Sequence, residues 1–238
     1  MRENQSEFDL TVLMPCLNEE ATVGKCIDTV KAYLDRHNLN GEILVADNGS
    51  TDKSVSVARE HGARVIHVIK PGYGRALRAG MKAARGSVII LADCDTTYDF
   101  NEMDRLYKPL IAGKYDVMIG DRFRGGIEKG AMPVIHIIGV KFLSLMGRVR
   151  YRTDVRDFHC GFRGITREAL SNLRFHTTGM EFATEMIAEA VRKGLIIGQI
   201  PVSLKKCRDS RQSKLRTVRD GIRHLIYIIR GGKYESEN

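Results

Sequence analysis

The stretch of sequence that decides the fold is SVIILADCD, which occupies residues 87–95. Its first six residues are almost entirely apolar, which is typical of a strand buried on both faces of a sheet. Two aspartates, Asp93 and Asp95, stand one residue apart directly after this run. Because side chains alternate along an extended chain, both carboxylates would point in the same direction. The sequence therefore predicts a pair of carboxylates at the carboxyl end of a buried strand.

Three shorter apolar runs precede this strand, and each is followed by apolar residues at helical spacing. We predict strands over residues 9–14, 42–46 and 64–69, helices over residues 19–37 and 53–61, and a further helix into which the glycine-rich stretch 70–80 runs. Alternating strands and helices indicate a mostly parallel α/β sheet that helices cover. Ligands of such sheets bind outside the carboxyl ends of the strands. Four polar loops are therefore expected along one edge of the sheet, the rim, at residues 15–19, 47–52, 70–75 and 93–95.

The second half of the chain is less regular, with a predicted strand, a helical stretch, a glycine-rich loop, a further helix and a last strand. These features occupy residues 116–120, 134–149, 157–164, 181–193 and 196–202. No internal repeat, low-complexity stretch or linker divides the sequence. We therefore predict one domain over residues 1–203 and a basic, amphipathic C-terminal segment over residues 204–238.

Positive charge is concentrated in that C-terminal segment. The formal net charge of the chain is +9, and residues 205–233 hold ten basic against two acidic side chains. An anionic surface or an anionic substrate is the expected partner of such a segment. The longest apolar runs fall far short of a bilayer span, and the polar N-terminus does not have the pattern of a signal peptide. Five scattered cysteines without metal-ligand spacing fit a reducing cytosol.

Asp93 and Asp95 are the strongest candidates for a metal site. Two neighbouring carboxylates stay ionised at low cost only when a cation lies between them. Mg²⁺ and Mn²⁺ prefer oxygen ligands, and they typically use one or two carboxylates together with substrate phosphate oxygens. The alternative is an acidic loop whose aspartates cap a helix.

The other rim loops each allow a functional and a structural interpretation. Asp47 begins DNGSTD, and it could bind the base or ribose of a nucleotide, or the loop could simply cap the next helix. Gly72 and Gly74 could let the backbone approach a diphosphate beside Arg75, or they could form a bare turn. The third glycine of a dinucleotide fingerprint is absent, and no Walker motif occurs.

Two arginines, Arg122 and Arg124, follow a predicted strand in the motif GDRFRGG. A guanidinium group makes paired hydrogen bonds to a phosphate, although two solvated loop charges would leave the same pattern. His136 lies in an otherwise apolar stretch, where a histidine is more often a core residue than a catalyst.

These loops, in this order, resemble the family 2 glycosyltransferases of the GT-A fold, and in particular the polyprenyl-phosphate sugar synthases of the dolichyl-phosphate mannose synthase type. The resemblance covers nearly the whole chain. The matching motifs are PCLNEE (15–20), ADNGSTD (46–52), GYGRALRAG (72–80), ADCDTTYDF (92–100), GDRFRGG (120–126), DFHCGFRGITREAL (157–170), GMEFATEM (179–186) and SKLRTVRDGIRHL (213–225).

The resemblance implies a metal-dependent, inverting transfer of a hexose from a UDP- or GDP-sugar to a polyprenyl phosphate. It implies that Asp93 and Asp95 bind Mg²⁺ or Mn²⁺, and that Asp95, Arg122 and Asp157 act in catalysis. Asp157 would be a helper carboxylate, and the alternative is a structural aspartate of the loop. The implied nucleotide-sugar residues are Pro15, Asn18, Glu19, Asp47, Asn48, Gly72, Gly74, Arg75 and Asp93. The implied acceptor residues are Arg122, His136, Arg211 and Lys214.

Relatives of this type often continue into transmembrane helices, whereas this chain stops at Asn238. We therefore expect a cytoplasmic, peripheral membrane protein that reaches its acceptor through the basic segment or a membrane partner subunit. The apolar side chains of that segment expected to enter the bilayer interface are Leu225, Ile226, Ile228 and Ile229. Homo-oligomerisation stays open, and no nucleic acid is expected. The alternatives are a glycosyltransferase with a soluble acceptor and, more remotely, a non-enzymatic basic binding module.

Overall fold

A seven-stranded sheet forms the centre of the protein. The computed structural model describes residues 6–207 and 217–231, and for residues 217 and 218 the backbone only. The strands are β1 (Phe8–Cys16), β2 (Gly41–Asp47), β3 (Arg64–His67), β4 (Gly86–Leu91), β5 (Val117–Asp121), β6 (Arg163–Thr166) and β7 (Ile197–Pro201). Their order across the sheet is β3-β2-β1-β4-β6-β5-β7. Among the strand pairings of the described residues, only the two that involve β6 are antiparallel, so the prediction of a mostly parallel α/β sheet is confirmed.

Helices cover both faces of this sheet, as predicted. They are α1 (Val23–Arg36), α2 (Ser54–Glu60), α3 (Tyr73–Ala83), α4 (Asp104–Ile111), which follows a 3₁₀ turn at Phe100–Met103, α5 (Arg122–Gly125), α6 (Val134–Tyr151), α7 (Arg167–Ser171), α8 (Phe182–Arg192) and α9 (Thr217–Arg230). Alternation along each strand divides the core into two layers. Val12 and Ile90 belong to the layer that holds α1 and α4. Leu13 and Ile89 belong to the layer that holds α3, α8 and the inner sides of α6 and α9.

Strand β6 is the part of the sheet that the sequence did not predict, since RGIT is too short to show a period. It runs opposite to its neighbours, with Arg163 paired to Leu91 at the end of β4 and to Ile119 near the end of β5. Position 164 requires a glycine, because the Cβ atom of any other residue would lie only 2.6 Å from a methyl group of Leu110 and would clash with it. The reversed direction of β6 places the preceding loop, residues 157–162, at the rim beside Asp93.

The described part of the basic C-terminal segment packs onto the rest of the protein. Helix α9 contacts α6 and α8, and its Tyr227 and Ile228 are buried in the core. In the described part of the chain, no helix is both long enough and apolar enough to cross a bilayer.

Candidate active site

A cleft of about 1070 Å³ opens at the rim, between the carboxyl ends of the strands and the first turns of α6 and α9. Most of the residues that the sequence singles out lie along it. They are Pro15, Glu19, Asn48, Gly72, Arg75, Asp93, Asp95, Arg122 and His136. Five other residues that the sequence singles out do not line the cleft: Asn18, Asp47, Gly74, Arg124 and Asp157. Arg211 and Lys214 lie outside the described residues.

The two aspartates of the ADCD motif both line this cleft. Asp93 is half-buried, and its Oδ1 accepts a hydrogen bond of 3.1 Å from the hydroxyl group of Tyr73. Asp95 is only 5% exposed, and its Oδ1 accepts hydrogen bonds from the backbone N–H and the hydroxyl group of Thr97. Among the described residues, no group of three or more histidine, cysteine or acidic side chains could hold a metal ion.

Arg122 is held in the cleft by a buried carboxylate. Strand β5 ends at Asp121, whose side chain accepts hydrogen bonds from two backbone N–H groups of α5, so Arg122 begins this short helix at the rim. The Arg122 Nε and Nη2 atoms donate to the two oxygens of Asp157 at 2.6 and 2.8 Å. Asp157 has no exposed surface, and it also accepts from the backbone N–H of His159. The carboxylate therefore orients the guanidinium group.

In the Arg122–Asp157 pair, each charge stabilises the ionised form of the other side chain. Burial alone would raise the pKa of Asp157, but the charge of Arg122 and its hydrogen bonds hold that pKa below its ordinary value. Burial opposes the charge of Arg122 in the same way, and the Asp157 carboxylate raises the pKa of Arg122 well above its ordinary value. Both groups are therefore ionised at neutral pH.

The predicted nucleoside side of the cleft is built from loops that hold one another. Asn48 links the end of β2 to the segment before α3: its Nδ2 donates to the carbonyls of Val68 and Lys70, and its Oδ1 accepts from the Gly72 N–H at 2.6 Å. Asn18 has a positive φ of 51°, and its Oδ1 accepts from the backbone N–H of Thr51 at 2.7 Å. These side chains therefore fix loop positions.

Asp47 has a similar bracing role behind the cleft. Its carboxylate accepts from the Ser50 N–H at 3.0 Å and from His67 Nδ1 at 3.2 Å. Burial would raise the pKa of Asp47, but the hydrogen bonds from Ser50 and His67 lower it below its ordinary value. The carboxylate is thus charged, and it stabilises the turn of DNGSTD.

The two glycines of GYGR are required by close backbone packing. A Cβ atom on Gly72 would lie 2.2 Å from the carbonyl oxygen of Thr178, and Gly72 has a φ of 146°. A Cβ atom on Gly74 would lie 2.8 Å from the carbonyl oxygen of Thr177. The start of α3 is therefore packed closely against residues 177–179, of which Thr178 and Gly179 line the cleft.

Replacing Gly72 with alanine is expected to lower the free energy of unfolding by about 1–3 kcal/mol, because a side chain there meets a carbonyl in a strained backbone conformation. Urea denaturation measures this change. Gly139→Ala is the matched control, since no atom of the described residues lies within 4 Å of the new Cβ and alanine favours the helix by up to about 1 kcal/mol. Equal stability of Gly72→Ala and the unaltered protein would contradict this account of the loop.

Sequence reasoning missed a pair of histidines in the floor of the cleft. The rings of His159 and His224 meet edge to face with their centres 4.3 Å apart, and His224 Nδ1 bonds to the hydroxyl group of Thr184 at 2.8 Å. Burial lowers the pKa of His224 to about 4 and that of His159 well below its ordinary value. Both rings are therefore neutral. Sequence spacing could not have found this contact, since 65 positions separate the two residues.

A buried arginine was missed as well. The guanidinium group of Arg163, the first residue of β6, donates to the carbonyl oxygens of Phe158, Cys160 and Ala183 at 2.6–2.7 Å. Burial lowers its pKa. Arg163 thereby fixes the loop that carries Gly161, whose Cα lies against the Asp93 carboxylate.

Comparisons with known proteins identify the family of this chain. The sequence model of glycosyl transferase family 2 matches residues 11–174. The low-salt glycan biosynthesis hexosyltransferase Agl6 of Haloferax volcanii is 38% identical over 221 residues, which are 92% of this chain and 53% of Agl6. The chain therefore spans about half the length of this relative. The dolichyl-phosphate hexose transferase of the same organism is 30% identical over 198 residues, 83% of each protein.

Solved structures share the fold. The glucosyl-3-phosphoglycerate synthase of Mycobacterium tuberculosis, in complex with Mn²⁺ and UDP-glucose, superposes with a TM-score of 0.75 at 24% sequence identity. The match covers 97% of this chain and 81% of the synthase. The predicted GT-A architecture is thereby confirmed. With the family match over residues 11–174, these findings establish that the chain belongs to glycosyl transferase family 2.

Proposed function

We propose that this protein transfers a hexose from a nucleoside diphosphate sugar to a polyprenyl phosphate, with the help of Mg²⁺ or Mn²⁺. The observation that carries the proposal is the placement of Asp93 and Asp95 in the same cleft as the fixed guanidinium group of Arg122. Such a cleft suits two anionic reactants, one held through a cation and the other through an arginine. The dolichyl-phosphate hexose transferase relative supports the choice of a lipid phosphate as acceptor.

Asp93 and Asp95 would hold the metal ion. Their oxygens are the ligand type that Mg²⁺ and Mn²⁺ prefer, and a set of two carboxylates leaves positions for diphosphate oxygens. A bound ion would neutralise the negative charge that develops on the departing nucleoside diphosphate. The Mn²⁺ complex of the mycobacterial synthase is in keeping with this assignment.

The nucleotide part of the donor would lie along the side formed by Pro15, Glu19, Asn48, Gly72 and Arg75. Arg75 stands in the first turn of α3, where its charge is suited to a diphosphate. Behind this side, the hydrogen bonds of Asn18 and Asp47 hold the loops in place, so we assign these two residues a positioning role. Gly74 contributes by allowing the close packing of α3.

The acceptor phosphate would approach Arg122 and His136, and we extend this acceptor site to Arg211 and Lys214 on the strength of the family resemblance. An oxygen of the acceptor phosphate forms the new bond to the anomeric carbon, while the bond from that carbon to the diphosphate breaks. Because the attacking oxygen is already anionic, no strong general base is required. Asp157, which has no exposed surface, therefore acts by positioning Arg122, and the attack from the opposite face inverts the anomeric configuration.

The place of action that follows from a lipid acceptor is the cytoplasmic face of a membrane, with the protein bound peripherally or through a membrane partner subunit. The ten basic side chains of residues 205–233 support this location, because an anionic leaflet attracts basic segments.

A thermal-shift panel of UDP- and GDP-hexoses, each with Mg²⁺ or Mn²⁺, tests the donor side. A matching donor at about one hundred times its Kd should raise the melting temperature by roughly 5–10 °C, since binding stabilises only the folded state. Omitting the metal should remove most of the shift. The proposal would fail if no nucleotide sugar stabilised the protein with either ion.

A further inference from the structure

Helix α6 presents an apolar stripe to solvent along its whole length. From Ile135 onward its members recur at intervals of three or four residues, and all are between 55% and 74% exposed: Val134, Ile135, Ile138, Phe142, Leu145 and Val149. Helix α9 presents a second stripe, made of Ile222, Ile226 and Ile229. We call these nine residues the α6/α9 face.

The residues of the α6/α9 face are not part of the hydrophobic core. Helix α6 buries its other side, including Leu143 and Tyr151, and α9 buries Tyr227 and Ile228. Four residues of this helix, Leu225, Ile226, Ile228 and Ile229, are predicted from the sequence to enter a membrane interface. Ile228 is instead buried and Leu225 packs against the core, so that Ile226 and Ile229 are the two that are exposed. The two helices contact each other, so the stripes lie on neighbouring elements. Monomeric soluble proteins rarely expose apolar patches of this extent unless something binds there.

The charged side chains around the α6/α9 face indicate which kind of partner binds there. Every charged side chain of α6 is basic, namely Lys141, Arg148 and Arg150. Arg230 is exposed at the end of α9. Apolar residues beside basic ones are the pattern of helices that lie in the interface of an anionic bilayer. A second copy of the same face would instead bring like charges together.

The face is also continuous with the mouth of the cleft. His136, Gly139 and Val140 of α6 line the cleft, and Ile135 belongs to both surfaces. Arg219 and Gly221, in the first turns of α9, line the cleft as well. A surface that covered the α6/α9 face would therefore border the cleft opening.

We propose that the α6/α9 face lies on an anionic bilayer, with its apolar side chains among the upper acyl chains and the cleft mouth at the level of the headgroups. The proposal rests on the proposed function only for the identity of the molecule that enters the cleft, a phosphate carried by a lipid. Binding of the bilayer itself does not depend on any acceptor.

The absence of tryptophan from the chain allows a direct test. Phe142→Trp gives a protein with a single tryptophan on the face, and Ile111→Trp is the matched control. Ile111 is 55% exposed, but it belongs to α4, which packs on the opposite side of the sheet. Both variants are mixed with phosphatidylglycerol vesicles that contain brominated acyl chains and no polyprenyl phosphate. We expect at least about a twofold loss of emission for Phe142→Trp and no change for Ile111→Trp.

Unchanged emission of Phe142→Trp in the presence of these vesicles would overturn the proposal. A stable dimer in the absence of lipid would also overturn the proposal, if the double variant Ile138→Glu with Ile226→Glu dissociated that dimer. A second copy of the protein would then cover the α6/α9 face. Failure here is separable from failure of the proposed function. Hexose transfer to a short, water-soluble polyprenyl phosphate without vesicle binding contradicts the membrane proposal alone, and vesicle binding without transfer contradicts the proposed function alone.

Discussion

Replacing Asp95 with alanine is expected to lower kcat/KM for hexose transfer by about a thousandfold, the scale of effect seen when a group that stabilises developing charge is removed. Asp95 is only 5% exposed, and Thr97 fixes one of its oxygens. The carboxylate is therefore held in one position at the cleft. Asp95→Asn keeps the size of the side chain but removes its charge, so it should be almost as inactive.

The control for this prediction is Asp35→Ala, which removes an exposed carboxylate from α1. It should retain activity within about twofold, because surface substitutions seldom perturb a site elsewhere. Calorimetric titration of Mn²⁺ in the presence of the nucleoside diphosphate gives a second reading. Asp95→Ala should abolish metal binding there. Full metal-dependent activity in this variant would refute the assigned metal site.

Replacing Asp157 with alanine is expected to lower the free energy of unfolding by about 3–5 kcal/mol, the usual cost of leaving one buried charge unpaired. Arg122 is only 7% exposed, and its guanidinium group donates two hydrogen bonds to this carboxylate. Without them it carries its charge in a buried site and loses its fixed orientation. Transfer activity should fall as well, and urea denaturation and steady-state kinetics measure the two effects.

A double replacement separates stability from function at this pair. Arg122→Met with Asp157→Leu removes both charges together, and apolar substitutes of similar volume often restore the stability of a buried ion pair. The double variant should therefore recover most of the lost free energy of unfolding and stay inactive, since no guanidinium group then faces the acceptor. Recovery of activity together with stability would contradict the role proposed for Arg122.

The same pair makes stability depend on pH. The pKa of Asp157 in the folded protein lies below its ordinary value of 3.8 because of Arg122 and its hydrogen bonds, which outweigh burial. Its contribution is therefore fully present above pH 4, and it is lost as the pH falls from there through the lower pKa of the folded state. Asp157→Asn should flatten the stability curve in this acidic range, which urea denaturation between about pH 2 and 6 can detect.

Much of the fold could be predicted because most of its strands appear in the sequence as short runs of apolar residues. The stretch SVIILADCD predicted both β4, at the centre of the sheet, and the two carboxylates at the rim. The stretch DNGSTD predicted the turn after β2. Strand β6 could not be found, since four residues show no periodicity. The missing strand also hid the Arg122–Asp157 pair: both residues were singled out, but only the reversed direction of β6 brings residues 35 positions apart into contact.

Side-chain roles were harder to predict than positions. The motif around Asn48 predicts that this residue binds the nucleotide. In the structure, its side-chain amide group makes hydrogen bonds with the backbone of Val68, Lys70 and Gly72. Polar residues favoured in turns are also those that bind ligands, so sequence alone cannot separate these uses. The contact of His159 with His224 depends on how α9 docks, for which the sequence carries no local signal.

The central claim is the transfer of a hexose to a lipid phosphate, and product analysis tests it most directly. The purified protein is incubated with the α-linked nucleotide hexose that stabilises it, Mn²⁺, a short-chain polyprenyl phosphate and, separately, soluble phosphate-bearing acceptors. We predict a polyprenyl phosphate hexose with a β-linkage, identified by mass spectrometry and by the anomeric proton coupling in NMR spectra. Transfer only to a soluble acceptor, or a product that keeps the α-configuration, would contradict the account.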